Sequence, residues 1–270
     1  MDWKAFAAAA LALLVMPVNA EYVLSAPPRE TPEEGQLVYG PLADSLSEVL
    51  GERVVYRHPG NWAAYGRNMR EGLYDFVFDA PHFGSWRIEH LNHTPLAALP
   101  GKLDFVIVAT SADIKSTKDL VSRKFCALES PNMGTLIVQN MFRNPVRTPV
   151  FVFLKGGFEA VYEAVATGKC EAGVLRSPFY FKKLSDADRA KVRLVEQTKP
   201  TPNQTLTGSP SLNNDAKLAI TDMLADPARA AAGSSALFER FSKGTKAWDR
   251  PELSSYTYLN LLLEGQAWGW

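Results

Sequence analysis

Two polar side chains stand close together in the segment Phe78-Asp79-Ala80-Pro81-His82, directly after an apolar run. The ring of His82 can donate a hydrogen bond to an anion or, when neutral, bind a metal ion. The carboxylate of Asp79 repels an oxyanion unless it orients His82, and it attracts a cation or an amine. Two ligand classes therefore stay open, an oxyanion or zwitterion that needs no cofactor, and a transition metal. The metal site would add Met133 or Tyr65 to this pair.

Further binding candidates lie at the starts of other segments. Arg29 follows an early apolar run, and a guanidinium can make paired hydrogen bonds to a carboxylate or phosphonate. Asn61 and Trp62 open a predicted helix, where the indole can stack on a ligand or close the core. His90 and His93 would share a helix face, but no third ligand is near, so we expect a surface pair.

Composition and motifs narrow the class of protein. The 270 residues carry 29 Lys+Arg against 29 Asp+Glu, so no overall charge draws the chain to nucleic acid or anionic lipid. An apolar content of 46% excludes a disordered or fibrous chain. The motifs of serine hydrolases, zinc proteases, phosphate loops and Cys-x-x-Cys redox sites are missing. We therefore expect a monomeric binding protein for a small molecule rather than an enzyme.

The first twenty residues read as an export signal. Lys4 precedes the apolar run Ala5–Met16, and Val18-Asn19-Ala20 suits a cleavage site. The run is shorter than the ~20 residues that span a bilayer, so a mature chain from Glu21 is expected. Export places Cys126 and Cys170 in an oxidising compartment, which favours a disulfide between them over buried thiols or metal ligands.

Short apolar runs alternate with helix-period segments in the first part of the mature chain. We predict a strand at Tyr22–Ala26, a helix at Glu33–Leu50, a strand at Arg53–Arg57, a helix at Trp62–Glu71 and a strand at Asp75–Phe78. Such a unit forms a parallel sheet with helices on both faces, and its ligands lie beyond the carboxyl ends of the strands. Asp79 and His82 follow the third of these ends.

The pattern then restarts and ends in helices. We predict strands at Leu103–Ala109, Lys124–Leu128, Val150–Phe153, Glu171–Leu175 and Arg193–Glu196, with helices at Ser116–Leu120, Asn132–Phe142 and Phe158–Ala166. Lys199–Pro210, rich in Pro, Thr and Asn, is predicted to return as an extended crossing. Helices are then predicted at Asp215–Leu224, Ala228–Phe241 and Ser255–Glu264. Two α/β lobes joined by two extended crossings are implied.

Five segments in this order carry a family resemblance. They are Gly40–Leu46 (GPLADSL), Gly72–Phe78 (GLYDFVF), Ala80–Phe83 (APHF), Ile114–Leu120 (IKSTKDL) and Ala160–Val174 (AVYEAVATGKCEAGV). The chain resembles the phosphonate/phosphite-type periplasmic solute-binding proteins of ABC transporters, which have the two-lobed type 2 periplasmic-binding fold. The resemblance implies a periplasmic protein that closes over a ligand and presents it to a membrane permease. We place residues 1–20 in the signal peptide, 21–105 plus 200–270 in one lobe and 106–199 in the other.

The resemblance also implies ligand-binding residues in the second lobe. In the family a helix start holds a small oxyanion through hydroxyls and amides, and the matching segment Glu129–Thr135 supplies Ser130, Asn132 and Thr135. The family's Ser-Thr-Ser-Gly pattern is absent here. Arg176 stands at the end of a strand where the family places a pocket residue. A sensor or assembly subunit without a transport role remains an alternative on the same fold.

Overall fold

The computed structural model describes residues 21–142 and 144–264, so the predicted signal peptide lies outside the described residues. The strands, in chain order, are β1 (Tyr22–Ser25), β2 (Val54–Tyr56), β3 (Phe76–Asp79), β4 (Thr94–Ala98), β5 (Lys102–Leu103), β6 (Phe105–Ala109), β7 (Lys124–Leu128), β8 (Val150–Leu154), β9 (Ala172–Arg176), β10 (Arg193–Gln197), β11 (Thr201–Pro202) and β12 (Thr205–Gly208). The helices are α1 (Pro32–Leu50), α2 (Trp62–Arg70), α3 (Pro81–Leu91), α4 (Met133–Met141), α5 (Gly157–Ala166), α6 (Asp186–Arg189), α7 (Asn214–Ala225) and α8 (Pro227–Phe241). Short 3₁₀ turns cover Thr117–Leu120, Leu253–Tyr256 and Leu259–Leu262, and a π turn covers Phe179–Lys183.

Two five-stranded mixed sheets organise the chain. The first has the order β2-β1-β3-β12-β4, and the second, read from its parallel edge, has the order β8-β7-β9-β6-β10. In each sheet three strands run parallel and the fourth is antiparallel to its neighbours. We call the part built on the first sheet lobe 1 and the part built on the second sheet lobe 2.

Two crossings join the lobes, and they are paired with each other. β5 and β11 form a two-stranded antiparallel ribbon in which Leu103 faces Thr201. The hydroxyl of Thr201 donates to the carbonyl oxygen of Leu103 at 3.0 Å. After the second crossing, β12 inserts between β3 and β4, and α7 and α8 pack on lobe 1.

Local sequence signals explain where the first helix begins and ends. Thr31 caps α1 in a reciprocal arrangement with Glu34, and Pro32 occupies the first turn. Gly51 ends the helix at φ 68°, in the left-handed region that glycine adopts without strain. The predicted helix Glu33–Leu50 therefore differs from α1 by one residue.

The prediction and the structure differ in several places. α3 and β4 occupy residues for which no element was predicted, and β12 is a strand within the predicted crossing Lys199–Pro210. The predicted helix Ser255–Glu264 is replaced by 3₁₀ turns. α3 begins at Pro81, and proline is favoured in the first turn of a helix. Ala80 provides no side-chain cap, however, and most of the first two turns is buried, so no amphipathic stripe marks the helix.

The predicted disulfide between Cys126 and Cys170 is confirmed, with the two Cα atoms 5.7 Å apart. It joins β7 to the segment before β9, and both residues are fully buried in an apolar cluster of lobe 2. A separate cluster packs α1 and α8 against the sheet of lobe 1. The third cluster is continuous from Val77 in lobe 1 through Phe83 and Met133 to Ile107 in lobe 2. The two lobes therefore share apolar contacts.

Candidate ligand-binding site between the lobes

A cavity of about 360 Å³ lies between the lobes, at the carboxyl ends of β1, β3, β7 and β9. This is the place where parallel α/β sheets collect ligands. Its lining from lobe 1 and the crossings is Arg29, Trp62, Ala80, His82, Phe83, Leu103 and Gln204. Its lining from lobe 2 is Phe105, Leu128, Glu129, Ser130, Pro131, Asn132, Met133, Phe158 and Arg176. The volume suits a small molecule.

Six of the nine predicted ligand-binding residues line this cavity together. They are Arg29, Trp62, His82, Ser130, Asn132 and Arg176. Sequence reasoning did not single out Gln204, Phe105 or Phe158. Gln204 lies in the second crossing, where no periodicity marks it. Phe105 begins β6 and packs closely on Gly134, where a Cβ would stand 2.6 Å from its ring.

One arginine in each lobe has an enclosed donor without a partner, and both residues line the cavity. Nη1 of Arg29 and Nε of Arg176 are enclosed, and neither has a hydrogen-bond partner among the described residues. Burial lowers the pKa of Arg176, and the nearby carboxylate of Asp104 opposes that effect. An arginine side chain nevertheless stays charged in a protein. The cavity therefore holds two guanidinium groups whose hydrogen-bonding capacity is not used up by the protein.

His82 bridges the lobes across the cavity. Its Nε2 lies 3.2 Å from the carbonyl oxygen of Pro131. Burial lowers the pKa of His82 to about 3, and the charges of Arg29 and Arg87 act in the same direction. The ring is therefore neutral near neutral pH. Its Nδ1 is enclosed and has no partner within the described part of the chain.

Aromatic rings form the remaining wall. Trp62 stacks on Phe83 with the ring centroids 6.4 Å apart, and Phe105 lies 6.4 Å from Phe158. Trp62 is thus a wall residue that also packs on the shared apolar cluster. This side of the cavity can accept an apolar group of a ligand.

The structure corrects the prediction that Asp79 binds the ligand. Asp79 is fully buried and accepts two hydrogen bonds of 2.7 Å from the guanidinium of Arg87. The hydroxyl of Tyr65 also donates to Asp79. Arg87 in turn donates to Thr207 at 3.0 Å. Asp79 is not among the residues that line the cavity, so its charge is compensated inside lobe 1.

Two more predicted binding residues have structural roles. Asn61 caps α2 by accepting a hydrogen bond from the amide of Ala64 at 2.9 Å. Thr135 is fully buried and donates to the carbonyl oxygen of Leu128 at 2.7 Å. Neither residue lines the cavity. Both predictions placed a polar residue at a helix start correctly, but the side chain satisfies the protein's own backbone.

The alternative metal site does not assemble. His82 and Met133 line the cavity, whereas Tyr65 and Asp79 bond to each other away from it. Among the described residues no three His, Cys, Asp or Glu side chains gather where they could hold a metal ion. His93, predicted as part of a surface pair with His90, is instead buried.

Comparisons with known proteins bear on the whole chain. The family model for the periplasmic substrate-binding protein of phosphonate ABC transporters matches residues 24–256. PhnD1 from Prochlorococcus marinus (MIT 9301), solved in complex with methylphosphonate, has a TM-score of 0.63 at 16% identity, with 90% of this chain and 96% of that chain covered. A Xanthomonas citri protein solved with ATP has a TM-score of 0.68 at 13% identity, with 90% and 95% covered.

A third structure is a binding protein component of an ABC phosphonate transporter from Pseudomonas aeruginosa. It has a TM-score of 0.57 at 13% identity, with 91% of this chain and 86% of that chain covered. No curated protein matches the sequence. The structural likeness confirms the predicted two-lobed type 2 periplasmic-binding fold. Within the described residues, no helix has both the length and the apolar character needed to cross a membrane.

Proposed function

Since the chain belongs to the family of periplasmic substrate-binding proteins of phosphonate ABC transporters, we propose that it binds a small phosphonate-type oxyanion between Arg29 and Arg176. The family is periplasmic, is not a class of enzymes, and implies an ABC permease as partner. That match favours transport over the metal-binding and sensor alternatives. Export through the signal peptide at residues 1–20, and delivery of this ligand to a permease, are part of the proposal.

The observation that carries the proposal is the pair of enclosed, unpartnered donors on Arg29 and Arg176. An enclosed donor without a partner costs roughly 1–3 kcal/mol. A ligand with two acceptor oxygens would remove both costs at once. Because one arginine comes from each lobe, the ligand gains both contacts only when the lobes are shut. Its binding would therefore shift the population toward the closed form.

The local charge balance also supports an anion. Asp79 is neutralised by Arg87 and does not reach the cavity. The remaining carboxylate in the lining is that of Glu129, which is 56% exposed and 4.0 Å from Lys155. Two guanidinium groups thus face one partly solvated carboxylate. These positive charges would repel a metal cation, whereas the amino group of a zwitterionic ligand would be attracted to Glu129 at the rim.

Calorimetric titration with methylphosphonate tests this proposal. We expect Arg29→Met and Arg176→Met each to weaken binding roughly 10- to 100-fold, because each removes a charge-assisted hydrogen bond. Arg123→Met is a matched control in lobe 2, since Arg123 pairs with Asp113 and Glu171 outside the cavity. Its affinity should equal that of the wild type. Unchanged affinity in both cavity variants would contradict the proposal.

A further inference from the structure

The tautomer of His82 is fixed by the protein itself. A carbonyl oxygen only accepts hydrogen bonds, so the Nε2 atom that lies 3.2 Å from the Pro131 oxygen must carry the ring proton. The side chain is 1% exposed, which disfavours a second proton on the ring. Nδ1 consequently presents a lone pair.

This lone pair differs in kind from the other unpartnered groups of the cavity. Nη1 of Arg29 and Nε of Arg176 are donors, whereas Nδ1 of His82 is an acceptor. All three atoms are enclosed and belong to residues that line the same cavity. A ligand that satisfies all three must therefore accept from two sides and donate from a third. The sequence left open whether His82 donates to an anion or offers a lone pair, and the contact with Pro131 favours the lone pair.

We propose that Nδ1 of His82 accepts a hydrogen bond from a proton carried by the ligand, so that the site selects singly protonated oxyanions over fully deprotonated ones. The inference rests on the proposed function above. An alkylphosphonate monoanion has two bare oxygens for the arginines and one hydroxyl for His82. An alkylsulfonate has the same charge and nearly the same shape, but it turns an oxygen lone pair toward the lone pair of Nδ1.

The expected discrimination follows from the cost of an enclosed acceptor that faces another acceptor. A site built to bind a ligand hydroxyl rejects the analogue that lacks it, because its own polar group is then left unpaired. One such mismatch corresponds to roughly a 10- to 100-fold difference in affinity. Shape and net charge do not contribute to this difference, since the two ligands share them.

Calorimetry on the full-length mature protein with matched ligand pairs provides the test. The probes are methyl-, ethyl- and 2-aminoethylphosphonate, each compared with the sulfonate of the same carbon skeleton, below the second pKa of the phosphonates. We expect each phosphonate that binds to do so about 10- to 100-fold more tightly than its sulfonate. Equal binding, or tighter binding of the sulfonate, overturns this inference and leaves the proposed function standing. If no phosphonate and no sulfonate binds, both fall.

Two variants separate His82 from the rest of the cavity. His82→Met removes the acceptor, and we expect the preference for phosphonate to shrink to within about threefold. Trp62→Phe changes another lining residue without touching an acceptor, and the preference should persist. A preference that survives His82→Met contradicts the proposal.

Nitrogen NMR of the wild-type protein keeps the proposal testable if His82→Met fails to fold. We expect the ring of His82 to keep its proton on Nε2 in the free and methylphosphonate-bound protein, with Nδ1 shifted by a new hydrogen bond. A ring that becomes doubly protonated when the ligand binds overturns the proposal, because His82 would then act as a donor.

Discussion

Equivalent strand ends in the two lobes carry opposite charges, and only one of these charges is paired within the protein. Asp79 ends β3 and faces Thr205, the first residue of β12, while Arg176 ends β9 and faces Phe105, the first residue of β6. Both strands occupy the middle of their sheets, next to the antiparallel strand that enters from a crossing. The positions are therefore equivalent in the fold, although one carries a carboxylate and the other a guanidinium.

The difference lies in what compensates each charge. Asp79 is held by Arg87 from the helix that follows it, so the pair is closed within lobe 1. Arg176 forms no ion pair among the described residues, and its Nε has no partner there. A buried charge that is paired acts on stability, whereas one that is left unpaired at a cavity is available to a ligand. One topological position thus carries a paired charge in lobe 1 and an unpaired charge at the cavity in lobe 2.

The largest effect on stability is expected from breaking the ion pair between Asp79 and Arg87 in lobe 1. Arg87→Met leaves Asp79 buried without its partner, and we expect a loss of roughly 3–5 kcal/mol in the free energy of unfolding. Arg176→Met is the matched substitution in lobe 2. It removes an uncompensated charge, so its stability should stay within about 1 kcal/mol of the wild type or rise. Urea unfolding of both variants measures this contrast, and equal losses would erase it.

Lobe 2 has a covalent constraint that lobe 1 lacks. The disulfide joins residues separated by 44 positions, and the chain-entropy model assigns such a loop about 4 kcal/mol. We expect Cys126→Ser combined with Cys170→Ser to lower amide-exchange protection in lobe 2 by a comparable free energy. Protection in the sheet of lobe 1 should change far less. A uniform loss across both lobes would show that the lobes unfold as one unit.

Acid should act mainly on lobe 1, because all four histidines lie between residues 58 and 93. Burial lowers the pKa of both His82 and His93 to about 3, from about 6.5 for an unperturbed histidine. At a pH between the folded and the unfolded pKa, the unfolded chain binds a proton at each ring and the folded chain does not. Stability is therefore full above pH 6.5 and falls as the pH drops, by up to about 1.4 kcal/mol per pH unit for each ring.

Substitution of single histidines assigns this slope. His93→Asn should reduce the slope of the free energy of unfolding against pH by up to the amount that one bound proton contributes. Urea unfolding between neutral pH and about pH 5 provides the measurement. A slope that His93→Asn does not alter would place the acid sensitivity elsewhere.

The smallest expected effects concern one polar residue at a helix start in each lobe. Asn61→Ala removes the cap of α2, and Thr135→Val removes a buried hydrogen bond to Leu128. Each should cost about 1 kcal/mol of stability. Neither residue lines the cavity, so affinity for methylphosphonate should equal that of the wild type. A loss of affinity without a loss of stability in either variant would show that its residue contributes to ligand binding.

Much of the fold follows from local signals in the sequence. The range predicted for β7, Lys124–Leu128, is the one observed, and the periodic apolar residues gave the limits of α1 to within a residue. Strand ends also located His82, Arg29 and Arg176 correctly at one cavity. In each case the deciding feature was an apolar run or a cap that lies within a few residues of the position predicted.

The errors arose where a tertiary partner decides the role of a residue. Asp79 and Arg87 meet because a strand end packs against the second turn of the next helix, a contact that no helical or strand spacing encodes. Asn61 and Thr135 are polar residues at helix starts, as ligand contacts also are, and only the structure shows that backbone groups occupy them. His82 was placed correctly, but the direction of its hydrogen bond depends on a carbonyl 49 residues away.

The paired crossings constrain how the protein moves as a whole. Two separate linkers would let the lobes slide and twist along many paths, but β5 and β11 are hydrogen-bonded side by side and must bend as one ribbon. Closing of the lobes would then be close to a hinge rotation, and each closure would bring the same two outer surfaces to the same spacing. A permease of the kind that the family implies could read occupancy as that spacing, without contacting the ligand.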